Sequence, residues 1–157
     1  MTHIVRTANV RDPGRIARLV NTAFQVEAFF KIGDRTSEDE IRALMATGEF
    51  LVIDDDTRDS LAACIFTSIE DTRGYFGMLS VDPSRQGRGL GRALIDAAET
   101  RARARGCDRM DIHVVNLRTE LVPLYRRFGY VEAGELPFPD TERASVPCHF
   151  IVMRKTL

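Results

Sequence analysis

Arg85-Gln86-Gly87-Arg88-Gly89-Leu90-Gly91-Arg92 decides how this chain is read. Glycines stand at 87, 89 and 91, just ahead of a stretch in which Leu90, Ala93, Leu94, Ala97, Ala98 and Ala102 recur every three or four residues, as on one helix face. That spacing predicts a helix from about Leu90 to Arg105, closed by Gly106. Upstream, Tyr75-Phe76-Gly77-Met78-Leu79-Ser80-Val81 reads as a strand, which Asp82-Pro83-Ser84 stops because proline cannot donate to a ladder. Strand, bared turn and helix start together make an anion seat. The first helical turn has N–H groups without intrahelical partners and about half a positive charge. Glycine removes the Cβ atoms that would hold a diphosphate away and permits the φ/ψ values that aim successive amides inward. Arg85, Arg88 and Arg92 add mobile charge at the same point.

A flexible connection with solvated arginines would share these features. Two nucleotide-binding alternatives fail on inspection. A Walker loop needs Gly-Lys followed by Ser or Thr, and the segment has no lysine. A dinucleotide fingerprint wants its turn after the first strand of a βαβ unit, whereas this one lies mid-chain after several strands.

The 157 residues, 44% apolar with no low-complexity tract or visible linker, suit one domain, 1–157. A net charge of −1 gives no pull toward nucleic acid, which starts from a basic surface. Asp54-Asp55-Asp56 reads as a solvated turn and Ser37-Glu38-Asp39-Glu40 as a helix start. Met1-Thr2-His3-Ile4-Val5-Arg6 has no leader-like apolar stretch, and no run of about 18 apolar residues could cross a membrane. The expectation is a soluble, cytoplasmic protein without membrane or nucleic-acid partners. Cys64, Cys107 and Cys148 lie far apart with no C-x-x-C pair, so they read as buried thiols and no metal site is expected.

The remaining elements follow from period and punctuation. Ile4 to Ala8 reads as a strand, and Asp12-Pro13 as an N-cap with proline opening a helix through Ile16, Leu19, Val20 and Ala23. Ser37 and Glu40 form a capping box for a second helix, closed by Gly48. Strands are expected at Phe50–Ile53, Leu61–Ile69, Met110–Val115, Tyr130–Glu132 and Phe150–Met153, and a helix around Thr119 to Phe128. The pattern is mixed α/β, helices covering both faces of a mostly antiparallel sheet.

Gln86-Gly87-Arg88-Gly89-Leu90-Gly91 matches Q-x-x-G-x-G, and Leu124-Tyr125-Arg126-Arg127-Phe128-Gly129-Tyr130 supplies a tyrosine helix running into an aromatic-glycine-aromatic turn. In these two motifs and their order the chain resembles the GCN5-related N-acetyltransferases (GNAT), strongly from about Tyr75 to Tyr130. The resemblance implies a twisted, mostly antiparallel sheet of six to seven strands flanked by about four helices. It also implies that the Tyr75–Val81 and Met110–Val115 strands form a splayed parallel pair with the pantetheine arm between them. The implied cosubstrate is acetyl-CoA, contacted by Leu79, Ser80, Val81, Arg85, Gln86, Gly87, Arg88, Gly89, Leu90, Gly91, Arg92, Asn116 and Tyr125. The implied reaction is direct acetyl transfer to a primary amine of a small molecule or peptide; a non-catalytic acyl-CoA sensor of the same fold is the alternative. A homodimer is left open.

By the same resemblance, the Leu79 N–H faces the acetyl oxygen, and Tyr125 is the general acid toward sulfur; without the motif, the residue reads as a core aromatic beside Leu121 and Phe128. The sequence departs from the family at two places. Arg118 stands where relatives have asparagine, with Asn116 two residues earlier, and Tyr75 stands where some have a glutamate base. Base candidates are therefore His113, whose ordinary pKa of about 6.5 suits proton transfer, and Glu70, Asp71 or Glu27. Acceptor recognition is assigned to Phe24–Thr36, with Phe29 and Phe30 as a candidate apolar slot or core, and to Pro137–Pro147, where Leu136-Pro137-Phe138-Pro139-Asp140 is stiff.

Overall fold

A computed structural model describes residues 3–139 and 141–157. Met1, Thr2 and Asp140, on which parts of the terminal and loop readings fall, lie outside the described residues. In chain order the elements are β1 (Arg6–Thr7), α1 (Pro13–Ala23), α2 (Glu38–Met45), β2 (Glu49–Asp54), β3 (Leu61–Glu70), β4 (Arg73–Val81), α3 (Leu90–Ala104), β5 (Arg109–Val115), α4 (Leu121–Arg127), β6 (Val131–Pro137) and β7 (His149–Thr156). The strands form one 7-stranded sheet in the order β1-β2-β3-β4-β5-β7-β6, antiparallel throughout except at β4–β5. This is the mixed, mostly antiparallel architecture expected, with helices on both faces.

Strand alternation sorts the core into two layers. Leu51, Ile65, Phe76, Met110 and Ile112 pack against Leu94, Ile95 and Ala98 of α3, and Tyr125 of α4 joins them. On the opposite face Phe50, Val52, Cys64 and Phe66 pack against Ile16, Leu19 and Val20 of α1 and Ile41 of α2. Among the described residues, no helix is long and apolar enough to cross a membrane. Cys64 and Cys107 are buried as expected, whereas Cys148 is only half-buried.

Local signals behave as read at most helix ends. α3 starts after Gly89, whose φ of 78° is left-handed, and Gly106 with φ 84° follows its end. The Ser37 hydroxyl accepts the Glu40 N–H at 3.2 Å, but the Glu40 carboxylate turns to Arg35 at 3.8 Å instead of completing the box. Pro13 opens α1, yet Asp12 does not cap it through its side chain. That buried carboxylate instead accepts from both terminal nitrogens of Arg6, at 2.8 and 3.0 Å, and from the Asn9 N–H at 2.8 Å.

Several elements differ from their predicted bounds; β2 and β4 are longer by two residues each, and β7 runs from His149 to Thr156. β1 pairs with β2 over Arg6 and Thr7 only. α4 begins at Leu121, and β6 runs through seven residues to Pro137. β6 is an edge strand whose residues are all exposed, so it carries no apolar alternation to read. At the centre, β4 and β5 pair through Arg73↔Arg109, Gly74↔Met110 and Tyr75↔Asp111, and then separate.

Candidate active site

The gap beyond Tyr75 and Asp111 is shaped by a β-bulge. Cys64 pairs with Ser80 and Phe66 with Gly77, so Met78 and Leu79 together oppose Ile65. Met78 has φ 52°, a conformation that costs about 1–3 kcal/mol and persists only where surroundings enforce it. Here the buried Ser80 hydroxyl donates to the Met78 carbonyl at 3.0 Å, and the Cys64 thiol reaches the same oxygen at 3.9 Å. Nothing local in Gly77-Met78-Leu79 announced this turn.

Between the splayed strands lies a cleft of about 720 Å³. Leu79 and Val81 of β4, His113 of β5 and Tyr125 of α4 line it, together with Arg85, Gln86, Gly87, Gly89, Leu90, Gly91 and Arg92. Gly87 and Gly89 have φ of 79° and 78°, with nothing within 4 Å of a hypothetical Cβ, so the requirement there is conformational and the space before the turn is open. The first helical bond runs from the Ala93 N–H to the Gly89 carbonyl at 3.0 Å, which leaves the N–H groups of Leu90, Gly91 and Arg92 ahead of the ladder.

Three residues expected at the coenzyme are held by groups of the protein itself. The Arg85 guanidinium is not mobile: it donates to both oxygens of Asp55 at 3.1 Å and to the Thr57 hydroxyl at 2.8 Å. Asp55 is accordingly buried and not part of a solvated turn; hydrogen bonds from Thr57 and Arg85 hold its carboxyl far below the usual range. Ser80 is buried behind the bulge and shapes the cleft from outside it. Asn116 does not line the cleft either, because its side-chain oxygen accepts the His149 N–H at 2.8 Å and anchors the start of β7. Arg88 is exposed, its carbonyl 2.8 Å from His3 Nε2, while Arg92 lies 5.7 Å over the Phe128 ring.

Tyr125 joins both roles offered for it. Its ring packs among Phe76 and Tyr130, at 6.0 and 6.2 Å, and it also faces the cleft. Burial pushes the phenol up to about 12 against the opposing charge of Arg118. Tyr130, five residues on, is wholly internal and donates to the buried Glu99 at 2.7 Å, which Lys155 also meets at 3.0 Å.

Across the splay the lining comes from a 3-10 turn, Phe24–Glu27, and its neighbours: Phe24, Glu27, Tyr75, His113, Phe138 and Phe150, with Lys31, Arg35, Glu40, Arg118 and Arg143. Phe66, Tyr75, His113, Phe150 and Phe138 form a row of rings across the sheet, at successive centroid distances of 6.5, 5.0, 5.6 and 5.3 Å. Partial burial of the His113 ring, with Arg73 nearby, lowers its pKa against the pull of Asp111. Phe30 belongs to the core beside Val115 and Phe138, and Phe29 is exposed; neither forms the slot suggested for them. The two loops assigned to acceptor recognition form one wall, stitched by a Lys31↔Ala144 bridge and bonds of 2.7 Å from Ile32 N–H to the Arg143 carbonyl and from Ser145 N–H to the Phe30 carbonyl.

A sheet parted at one parallel pair, a bulge at the parting and a glycine-bared helix start define a known class of protein. Residues 16–130 match the Acetyltransferase (GNAT) family, and the chain belongs to it. It is 36% identical over 116 residues to the mycothiol acetyltransferase of Kineococcus radiotolerans, covering 72% of this chain and 37% of that protein. A second mycothiol acetyltransferase, from Beutenbergia cavernae, is 39% identical over 80 residues, covering 50% of this chain and 27% of the other. The chain spans roughly a third of the length of these relatives. Among solved structures, the ribosomal-protein-S18-alanine N-acetyltransferase of Escherichia coli superposes with a TM-score of 0.78 at 18% identity, covering 99% of this chain and 94% of that one. A GNAT family acetyltransferase from Elizabethkingia anophelis, solved with acetyl-CoA bound, gives a TM-score of 0.76 at 14% identity, covering 98% and 97%. These structural likenesses are likenesses of fold.

Proposed function

We propose that the chain is an N-acetyltransferase that moves the acetyl group of acetyl-CoA directly to a primary amine of a small molecule or peptide. The observation that carries this reading is the single cleft along which the bared turn, the β4–β5 splay and Tyr125 lie together. The residues fit the coenzyme. Left-handed glycines at 87 and 89 and the free amides at the start of α3 suit a diphosphate, with Arg92 beside them. The apolar flanks of Leu79, Val81 and Ile112 suit a pantetheine arm.

The thioester is already activated, so positioning supplies much of the rate. The N–H of Leu79, at the bulge, is the proposed donor to the carbonyl oxygen as charge develops, an effect of about 3 kcal/mol for a well-aimed donor. Tyr125 keeps its proton at neutral pH and is the proposed acid toward the departing sulfur. A second reading, an acyl-CoA sensor without turnover, is favoured by Tyr75 at the place where some relatives have a glutamate. Calorimetry with acetyl-CoA, followed by thiol release over polyamines, amino acids, aminoglycosides and peptide N-termini, separates the readings. Binding with turnover supports the enzyme, binding without turnover on any amine supports the sensor, and no binding sinks both.

A further inference from the structure

Some group must take the proton that an ammonium acceptor loses. Glu70 ends β3, paired with Arg73 at 3.5 Å, and Asp71 begins the turn to β4; neither lines the cleft. Glu27 does line it, from the end of the 3-10 turn after α1, and is only 6% exposed. Its Oε2 accepts from Arg118 Nη1 at 3.4 Å, and among the described residues Oε1 has no hydrogen-bond partner. A buried carboxylate with one oxygen unpaired and facing a cleft is a seat for a cationic N–H donor. Arg118 is held from its other side by Glu120 at 3.0 Å, so it forms a fixed clamp between the acceptor loop and the segment before α4.

Resting on the acetyl-transfer reading above, we infer that Glu27 is the catalytic base and that Arg118 is its positioning residue. The ammonium gives one proton to Glu27 Oε1, and the freed lone pair attacks the thioester carbon. As the C–N bond forms and the C–S bond breaks, sulfur takes the Tyr125 proton. The new amide nitrogen sheds its second proton to restore Tyr125, and Glu27 returns its own to water. An ammonium and a thioester thus become an amide, a thiol and one released proton.

The surroundings make this carboxyl a stronger base than an exposed one. Burial raises the Glu27 pKa, while Arg118, Arg35 and Lys31 pull it down; the Cys148 thiol is a further neighbour, and burial prevails. Glu40 and Arg143 share the wall. The rival base, His113, lies across the cleft on β5, stacked between Tyr75 and Phe150.

The test is the pH profile of kcat/KM for thiol release, measured on the full chain and on E27Q, R118Q, R118K and H113Q, with acetyl-CoA affinity measured in parallel. The unaltered chain shows an acidic limb. E27Q loses the limb and about 10²-fold or more in kcat/KM at neutral pH while keeping coenzyme affinity, a loss in the range of general acid–base catalysis. R118Q removes the opposing charge, so the limb moves to higher pH, and R118K brings it most of the way back. H113Q retains the limb. Turnover by E27Q at the parental rate, or a limb that survives in E27Q and vanishes in H113Q, overturns the assignment while the acetyltransferase reading stands. A limb that stays in place in R118Q makes that arginine merely structural. An unaltered chain that binds the coenzyme but releases no thiol defeats the transfer reading and this base with it.

Discussion

Tyr125 and Tyr130 sit with ring centroids 6.2 Å apart, yet the hydroxyl partners divide their work. Tyr130 donates to Glu99 inside the core, where burial and that carboxylate push its pKa far up, so its proton is locked in structure. Tyr125 has no hydrogen-bond partner for its hydroxyl among the described residues, and it borders the cleft. With the phenol near 12, its proton stays on at neutral pH, so in the proposed transfer it is available as a donor to the sulfur as negative charge develops there. Tyr125→Phe keeps the ring packing and removes only that proton. It is therefore expected to lower kcat by about 10²-fold and to leave the acetyl-CoA dissociation constant within error, as steady-state thiol release and calorimetry would measure. A weakened coenzyme affinity with unchanged kcat would reassign Tyr125 to binding.

The glycine turn and the bulge are paired elements: in the proposed reaction one seats the diphosphate and the other the acetyl group. Gly89→Ala meets no atom within 4 Å, so its penalty comes from φ alone, about 1–2 kcal/mol for an L residue in the left-handed region. At about 2–4 °C per kcal/mol for a chain of this size, a thermal melt should fall by several degrees, with acetyl-CoA binding weakened and the fold retained. Ser80→Ala removes the hydroxyl that holds the Met78 carbonyl, and so loosens the Leu79 amide without touching the turn. The expected outcome is a roughly tenfold lower kcat, about 1.4 kcal/mol, at an unchanged KM for acetyl-CoA. The two elements were unequally legible from sequence. α3 could be read to within a residue because apolar period, cap glycine and closing glycine are all local signals. A methionine at positive φ has no such signature, and the bulge depends on how β3 is registered against β4. Arg85 was misread because its partner, Asp55, is 30 residues away across a hairpin. Asn116 was misread because its oxygen is claimed by His149, 33 residues downstream. Glu27 could be named among four candidates, but only packing shows that it alone of the acidic ones is buried in the cleft.

Across the whole molecule, arginine–aspartate clusters join segments distant in sequence. Arg6 joins β1 to Asp12 before α1 and to Asp54 of β2, while Arg85 and Arg58 join the glycine turn's approach to Asp55. Asp12, Asp54, Asp55 and Asp82 all have lowered carboxyl pKa values: Asp12 despite its burial, through hydrogen bonds from Arg6 and Asn9; Asp54 through Arg6; Asp55 through Thr57 and Arg85; Asp82 through Ser84. In the unfolded chain such groups titrate near 3.9, so between that value and their folded values the unfolded chain binds more protons. Stability from these carboxylates is therefore fully present above about pH 4 and drains away as pH falls through the folded values. Glu27 has the opposite sign: its raised value means that ionisation opposes folding, so it favours the fold below its folded value and withdraws that support as pH rises through it. Melting temperature should accordingly drop steeply below about pH 4. Asp55→Asn should melt below the parent at pH 7, with the gap narrowing as acid protonates Asp55 in the parent. Because Asp55 fixes Arg85 at the approach to the glycine turn, the same variant should also lose acetyl-CoA affinity at pH 7; if affinity is kept while the melt falls, the Asp55–Arg85 clamp serves stability alone.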